Sequence, residues 1–251
     1  MMIQMSPSHP GSQEDLKTAR AYLQTPEQWT RFLSALTHEL RTPLASLRML
    51  AELLAEAPMG QPGGQGKRYT ENIQEVVLDI QALVGDVAEL SRLLAGRVQV
   101  RPAEVALEPL VEQVKETVRP LAWDRGIALK DSVDPALPRL VRVDSEHLRQ
   151  ALALLLGTAV ARAESEVDLR FDLDRGDLRV LLSSDGPPFP EAALPSLFEP
   201  FDTGTLAARR RGGRSLALPL ANELARALGG RLGAGNRGGR PTFDLSLPLA
   251  P

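Results

Sequence analysis

Residues 36–47 read LTHELRTPLASL, and the helix that carries them decides the fold. Around this stretch Leu33, Leu36, Leu40, Leu44, Leu47, Leu50 and Leu54 follow one another in steps of three and four. Such spacing places them on one stripe of a long amphipathic helix. Upstream, Thr25-Pro26-Glu27-Gln28 combines a capping box with proline at the first helical position, which marks the start. The helix should end near Ala57-Pro58. The loop MGQPGGQG (59–66) then turns the chain back. A second stripe follows, with Tyr69, Ile73, Val76, Ile80, Leu83, Val87, Leu90 and Leu94, and stops at Gly96. Two antiparallel helices cannot bury both stripes between themselves. A homodimer whose four helices close a bundle is the economical solution.

Beyond Gly96 the texture is mixed. Val98–Arg101 and Ile127–Ser132 read as strands on either side of a helix over Leu107–Trp123. A helix over Ser145–Ala163 follows, with Asp144 as its N-cap. Val167–Leu173 and Leu178–Ser183, joined by Asp174-Arg175-Gly176-Asp177, form a hairpin. A Pro- and Gly-containing loop leads to a helix ending at Leu228, then to strands Arg231–Ala234 and Thr242–Leu247. Strands and helices without strict alternation point to an α+β sandwich, one sheet under a few helices. The expected domains are a tail with a short helix over 1–24, the helical hairpin over 25–97, and the sandwich over 98–251.

Composition narrows the function. At 251 residues the chain is long enough for two domains, and 43% hydrophobic with 24% charged residues is globular. A net charge of −3 gives no argument for nucleic acid or an anionic membrane surface. With no cysteine, disulfides and thiolate metal sites are excluded, and no metal site is expected. The longest apolar run, Ala151–Ala161, is too short to span a bilayer, for which ~18 residues are needed. The first residues lack the layout of a signal peptide. A cytoplasmic protein without membrane insertion is expected.

Within LTHELRTPLASL, His38 lies roughly opposite Leu36 and Leu40 at about 100° per residue. Thr42, one turn on, shares its outward face. Pro43 removes a backbone hydrogen bond and crowds the carbonyl of Glu39. A costly bend beside an exposed histidine, an acid and a hydroxyl has the look of a site.

HELRTPL is similar to the phosphoacceptor motif of sensor histidine kinases, and the helix pair resembles their dimerisation and phosphotransfer domain. The resemblance implies that His38 accepts a phosphoryl group and passes it to an aspartate of a response-regulator receiver domain. Imidazole suits this, being largely neutral and nucleophilic at pH 7. The same likeness gives Glu39 the part of orienting and deprotonating His38, and Thr42 that of positioning water for dephosphorylating the regulator.

The second half resembles the family's GHKL-type ATP-binding domain, so the likeness runs over roughly 28–249. DSEHLRQALALLLGTAV lies where the family has its asparagine-bearing helix. LLSSDGPPFPEAALPSLFEPF lies at the first glycine box and the phenylalanine box. GGRSLALPLANELARALGG lies at the second glycine box, and PTFDLSLPL at the closing strand. ATP and magnesium are the implied cofactors, with Thr158, Asp185, Gly186 and Gly213 as candidate contacts.

The chemical positions depart from the pattern. The two asparagines that face magnesium and phosphate fall on Leu154 and Thr158, which offer no oxygen and one neutral hydroxyl. With Gly186 in register, Ser184 stands where an aspartate reads the adenine amino group; sliding by one restores Asp185 but loses the glycines. In the second box Gly213-Arg214-Ser215-Leu216-Ala217 replaces a glycine triplet, and added Cβ atoms hinder close approach to phosphate. A hydrogen bond to a charged group contributes about 1.5–3 kcal/mol, so loss of the adenine-reading carboxylate alone weakens binding ~10–100-fold. Asp185 or Arg209, Arg210 and Arg211 could compensate, although a solvated basic loop accounts for those arginines too.

Three readings stay open. His38 exchanges a phosphoryl group with receiver aspartates, as a phosphotransfer protein or a regulator phosphatase. Alternatively the chain is an ATP-dependent autokinase with unusual nucleotide contacts. Or the dimer is a scaffold that binds a regulator without chemistry. The roughly 25 residues before the first long helix are too few for a folded sensor, so the input is expected to come from a partner such as an upstream sensor or kinase, from a missing segment, or not at all. His9 and His147 read as a tail residue and a helix-surface residue.

Overall fold

A computed structural model of the chain describes residues 26–56, 64–200 and 216–249. The expected tail, its short helix and the Thr25 cap lie outside these residues. Helix α1 (Pro26–Glu56) runs unbroken through Pro43. Helix α2 (Gln65–Leu94) packs along it and ends in a glycine motif: Gly96 adopts a φ of +64°, its N–H donates to the Leu93 carbonyl, and Arg97 N–H reaches back to the Arg92 carbonyl. Both long helices thus stand where the leucine periodicity places them.

The second unit begins five residues later than the sequence suggests. Strand β1 is Ala103–Ala106, not 98–101. Pro102 has no N–H to give a ladder, and the Arg101 N–H donates instead to the Asp144 carboxylate at 2.7 Å. β1 pairs antiparallel with β3 (Leu140–Val143), a four-residue strand too short to announce itself by alternation. Between them lie α3 (Leu107–Asp124) and β2 (Ala128–Val133). Helix α4 (Ser145–Arg162) starts at Asp144, whose carboxylate accepts from the His147 N–H. The hairpin of β4 (Glu166–Asp174) and β5 (Asp177–Ser184) turns through Arg175 and Gly176. A 3₁₀ turn over Glu191–Ser196, helix α5 (Ala217–Ala227), and strands β6 (Arg231–Arg237) and β7 (Arg240–Pro248) complete the described chain.

One five-stranded sheet, ordered β2-β4-β5-β7-β6, carries the fold; β2 runs parallel to β4 and the remaining pairs are antiparallel. Along β5, Leu178, Val180, Leu182 and Ser184 are buried while their neighbours are half-buried. Leu182 pairs with Leu169 on one side and Phe243 on the other, so the inward residues form continuous apolar rows. The helices cover this face. Helix α4 is apolar around most of its circumference because the apolar run Ala151–Ala161 is core, buried against α3, α5 and the sheet. The hairpin is not detached: Leu90 of α2 is buried in the same apolar cluster, and α2 packs on α5.

Candidate functional site

His38 is exposed on α1, and Thr42, one turn on, is exposed with it. Leu36 joins the core from the opposite side of the helix, and Leu50 is buried further along. The leucine stripe therefore turns His38 outward, as its spacing predicts. Glu39 is half-buried and engaged within the chain. Two apolar residues share the outward face: at 100° per residue Met49 lies within ~20° of His38 and Leu53 within ~60°. Met49 is 56% exposed. Four side chains thus line one solvent-facing strip, a nucleophile and a hydroxyl at one end and apolar surface below.

The other candidate residues gather at the C-terminal half of α4 and the end of β5. Leu154 is buried, and the Thr158 hydroxyl donates to the Leu154 carbonyl at 2.8 Å, which spends its proton within the helix. Ser184, the last residue of β5, is also buried. Gly186 fixes the register between these elements. A Cβ there would stand 2.0 Å from the Arg162 carbonyl oxygen, so only glycine lets the strand end approach α4 so closely.

Asp185 is engaged within the chain. Its carboxylate accepts the backbone N–H groups of Glu164, Ser165 and Glu166 at 2.9, 2.9 and 3.2 Å, and the Ser165 hydroxyl as well. It cradles the turn between α4 and β4. Partial burial works against its charge, but the donors from Ser165, Glu166 and Glu164 outweigh that and hold its carboxyl well below the usual carboxylate range. Gly213, Ser215 and Arg209–Arg211 lie outside the described residues.

Two residues emerge that the sequence did not single out. The Arg162 guanidinium, half-buried at the end of α4, donates to the Pro187 carbonyl at 2.9 Å and lies 5.0 Å from the Phe189 ring centroid. Asn236 of β6 clasps the same segment, accepting from the Phe189 N–H and donating to its carbonyl, both at 2.8 Å. The segment Pro187–Phe189 is therefore pinned from two sides. Nothing in the spacing of Arg162 or Asn236 signals this, since both partners are distant in sequence. His147 is also not a surface residue: its side chain is 15% exposed and Nδ1 lies 2.9 Å from Asp144 Oδ2.

Two family models match the chain, and together they span most of it. Residues 28–96 match the His Kinase A (phospho-acceptor) domain, and residues 143–251 match the histidine kinase-, DNA gyrase B- and HSP90-like ATPase. The chain belongs to the histidine kinase family. Among curated relatives of this family, the sensor histidine kinase AruS of Pseudomonas aeruginosa is 34% identical over 231 residues, covering 88% of this chain and 23% of AruS. The sensor protein SphS of Synechococcus elongatus is 32% identical over 237 residues, covering 90% of this chain and 56% of SphS. The chain thus spans about a quarter to a half of the length of these two relatives. Among solved structures, full-length ShkA in complex with AMPPNP superimposes with a TM-score of 0.64 at 31% identity, over 90% of this chain and 46% of ShkA. ThkA in complex with the response regulator protein TrrA gives 0.71 at 18% identity, over 96% of this chain and 67% of that one, and speaks to the fold alone. The helical hairpin followed by a GHKL-type ATPase domain is the architecture of this histidine kinase family. No helix among the described residues is long and apolar enough to cross a membrane.

Proposed function

We propose that this chain is a two-component signalling protein in which His38 exchanges a phosphoryl group with an aspartate of a response-regulator receiver domain, drawing little on ATP. The exposed strip of α1 carries the reading: His38 and Thr42 stand at the head of a face that Met49 and Leu53 continue as apolar surface. A receiver can seat on that face while presenting its aspartyl phosphate to the imidazole. In the transfer, a His38 ring nitrogen attacks phosphorus, the N–P bond forms as the P–O bond to the aspartate breaks, and the ring proton leaves to Glu39. In the removal of phosphate, water takes the place of His38, Thr42 orients it, and inorganic phosphate departs. The autoinducer 2 sensor kinase/phosphatase LuxQ of Vibrio cholerae, 28% identical over 87% of this chain, bears a name that joins the two activities.

The minor part given to ATP rests on the donor set. Leu154 has no oxygen, the Thr158 proton is committed to its own helix, Ser184 is neutral, and Asp185 is taken up by the backbone. These groups do not fit a magnesium-bound triphosphate, which is held through hard oxygen ligands. A second reading, ATP-dependent autophosphorylation of His38, is favoured by ShkA, 31% identical and solved with AMPPNP. In both readings the chain is a homodimer, since α1 and α2 keep apolar side chains in solvent.

The test uses the purified chain and its His38→Ala variant, incubated with labelled ATP and magnesium or with a phosphorylated receiver domain. Acid-labile label that reaches wild type only from the receiver is the expected result. Label arriving from ATP on His38 establishes the autokinase. Receiver binding that survives His38→Ala, with no transfer in either direction, leaves a scaffold. Thr42→Ala is expected to slow receiver dephosphorylation about 10-fold or more while sparing transfer to His38; equal dephosphorylation rates would remove Thr42 from the chemistry.

A further inference from the structure

Strand β2 ends the five-stranded sheet, and among the described residues nothing pairs with its outer edge. Its bonds to β4 fix which main-chain groups stay open. The Ala128 N–H donates to the Ser165 carbonyl and the Asp134 N–H to the Phe171 carbonyl, both at 2.8 Å, and the parallel register runs unbroken between them. In a parallel ladder every second residue turns both its N–H and its C=O to the neighbouring strand. Ala128, Lys130 and Ser132 therefore face β4, while Leu129, Asp131 and Val133 present their main-chain groups to solvent. Charged side chains commonly guard such an edge, but both of those on β2 are drawn away from it. Lys130 pairs with Glu166 of β4, and Asp131 with Lys115 of α3 at 2.7 Å.

Beside this edge, α3 and β2 enclose a groove of about 340 Å³, lined by Ile127 and Leu129 together with Trp123, which is 83% exposed. The charges of the groove are already matched: Lys115 also bonds Glu112 at 3.0 Å, and Arg119 bonds Glu112 and Glu116 at 2.6 and 2.8 Å. What stays unmatched is an indole, a side chain enriched among the residues that dominate binding energy, next to open main-chain groups. An occupant that satisfies both is extended, because a strand offers an N–H and a C=O at every second residue. It is apolar where it meets the groove, because no charge there lacks a partner. A second copy of this chain does not suit, since two-fold antiparallel pairing through all three open residues sets Asp131 opposite Asp131. We infer that the edge of β2 is a docking site for an extended segment of a partner protein. The segment adds a strand to the sheet through Leu129, Asp131 and Val133 and rests an aliphatic or aromatic side chain on Trp123. Neither His38 nor any candidate nucleotide contact lines this groove, so the site stands or falls apart from the phosphotransfer reading.

The experiment pans the full chain against a displayed library of random peptides of about 12 residues, a length that covers one strand and its flanks. The enriched peptides are then synthesised and titrated. They are expected to alternate apolar and polar residues, and to bind Trp123→Ala and Asp131→Pro at least ten-fold more weakly than wild type. The proline removes one open N–H and leaves every bond to β4 in place. Asp131→Asn, which loses the same carboxylate but keeps the N–H, should bind like wild type. Amide exchange followed by NMR should find Leu129, Asp131 and Val133 exchanging fast in the free chain and at least ten-fold slower in the complex. Circular dichroism checks folding; should Asp131→Pro not fold, Trp123→Ala and the amide exchange decide. A library without enriched peptides, peptides that hold their affinity for Trp123→Ala or for folded Asp131→Pro, or three amides already protected in the free chain by self-association would each overturn the assignment.

Discussion

Asp185, beside Gly186, has a carboxylate that gathers three backbone N–H groups and the Ser165 hydroxyl. Its carboxyl is held well below the usual range, with burial opposing the charge and the donors of Ser165, Glu166 and Glu164 prevailing. The sign for stability follows from that direction. A depressed carboxyl stabilises the folded chain fully above its unfolded pKa of about 3.9, and the contribution fades as pH falls below that value toward the folded one. Asp185→Asn puts an amide NH₂ among donors and is expected to cost about 1–2 kcal/mol at pH 7, a figure lowered for partial exposure to solvent. Thermal unfolding at pH 7 should show the variant melting several degrees lower, with the gap shrinking at pH 3. A gap of the same size at both values would mean that the carboxylate charge contributes nothing. Gly186 belongs to the same locality: the Arg162 carbonyl leaves no room for a Cβ, so Gly186→Ala should destabilise the domain by about 1–3 kcal/mol, read as a lower denaturant midpoint without a change of slope.

At the scale of elements, the legible parts are those with a long period. The two hairpin helices, α4 with its Asp144 cap, and the β4–β5 hairpin all stand where periodicity and turn residues place them, to within a few residues. What escaped is short or depends on distant partners. β3 has four residues, β1 is displaced by the Arg101–Asp144 bond, and the clasp of Asn236 on Phe189 joins residues 47 positions apart. The candidate site divides in the same way. The outward turn of His38 was legible because it needs only the helical angle. The hydrogen bonding of Asp185 was not, because its donors sit in a turn about 20 residues away. The face of α1 yields its own prediction. Met49 is 56% exposed on the side of His38, so Met49→Glu puts charge on the apolar part of the strip without touching the core. Receiver binding by α1 is expected to weaken about ten-fold, the scale of one lost apolar contact. A titration of labelled receiver against wild type and Met49→Glu checks this, and an unchanged Kd would place the docking face elsewhere.

The whole molecule has more apolar surface on its hairpin than one copy can cover. Leu33 and Leu44 of α1 and Val77 and Val84 of α2 are all exposed. By helical angle Leu33 and Leu44 lie on the flank of the stripe that also holds Leu40 and Leu47, well away from His38 and Met49. A single chain therefore presents two distinct apolar faces on α1, besides the exposed valines of α2. An apolar seam of that kind is what a four-helix bundle closes between two copies, with both histidines left outside. The seam also differs from the contact that Leu90 makes with the ATPase-like domain, which is already buried within one chain. The two can accordingly be broken separately. Leu44→Glu sets like charges against each other across a two-fold seam, and light scattering should report a monomer at concentrations where wild type is a dimer. Circular dichroism of the variant should keep the melting transition of the ATPase-like domain, whose core Leu44 does not enter. A Leu44→Glu chain that remains dimeric would move the interface off this seam, and Val84→Asp on the facing helix then decides whether α2 takes part at all.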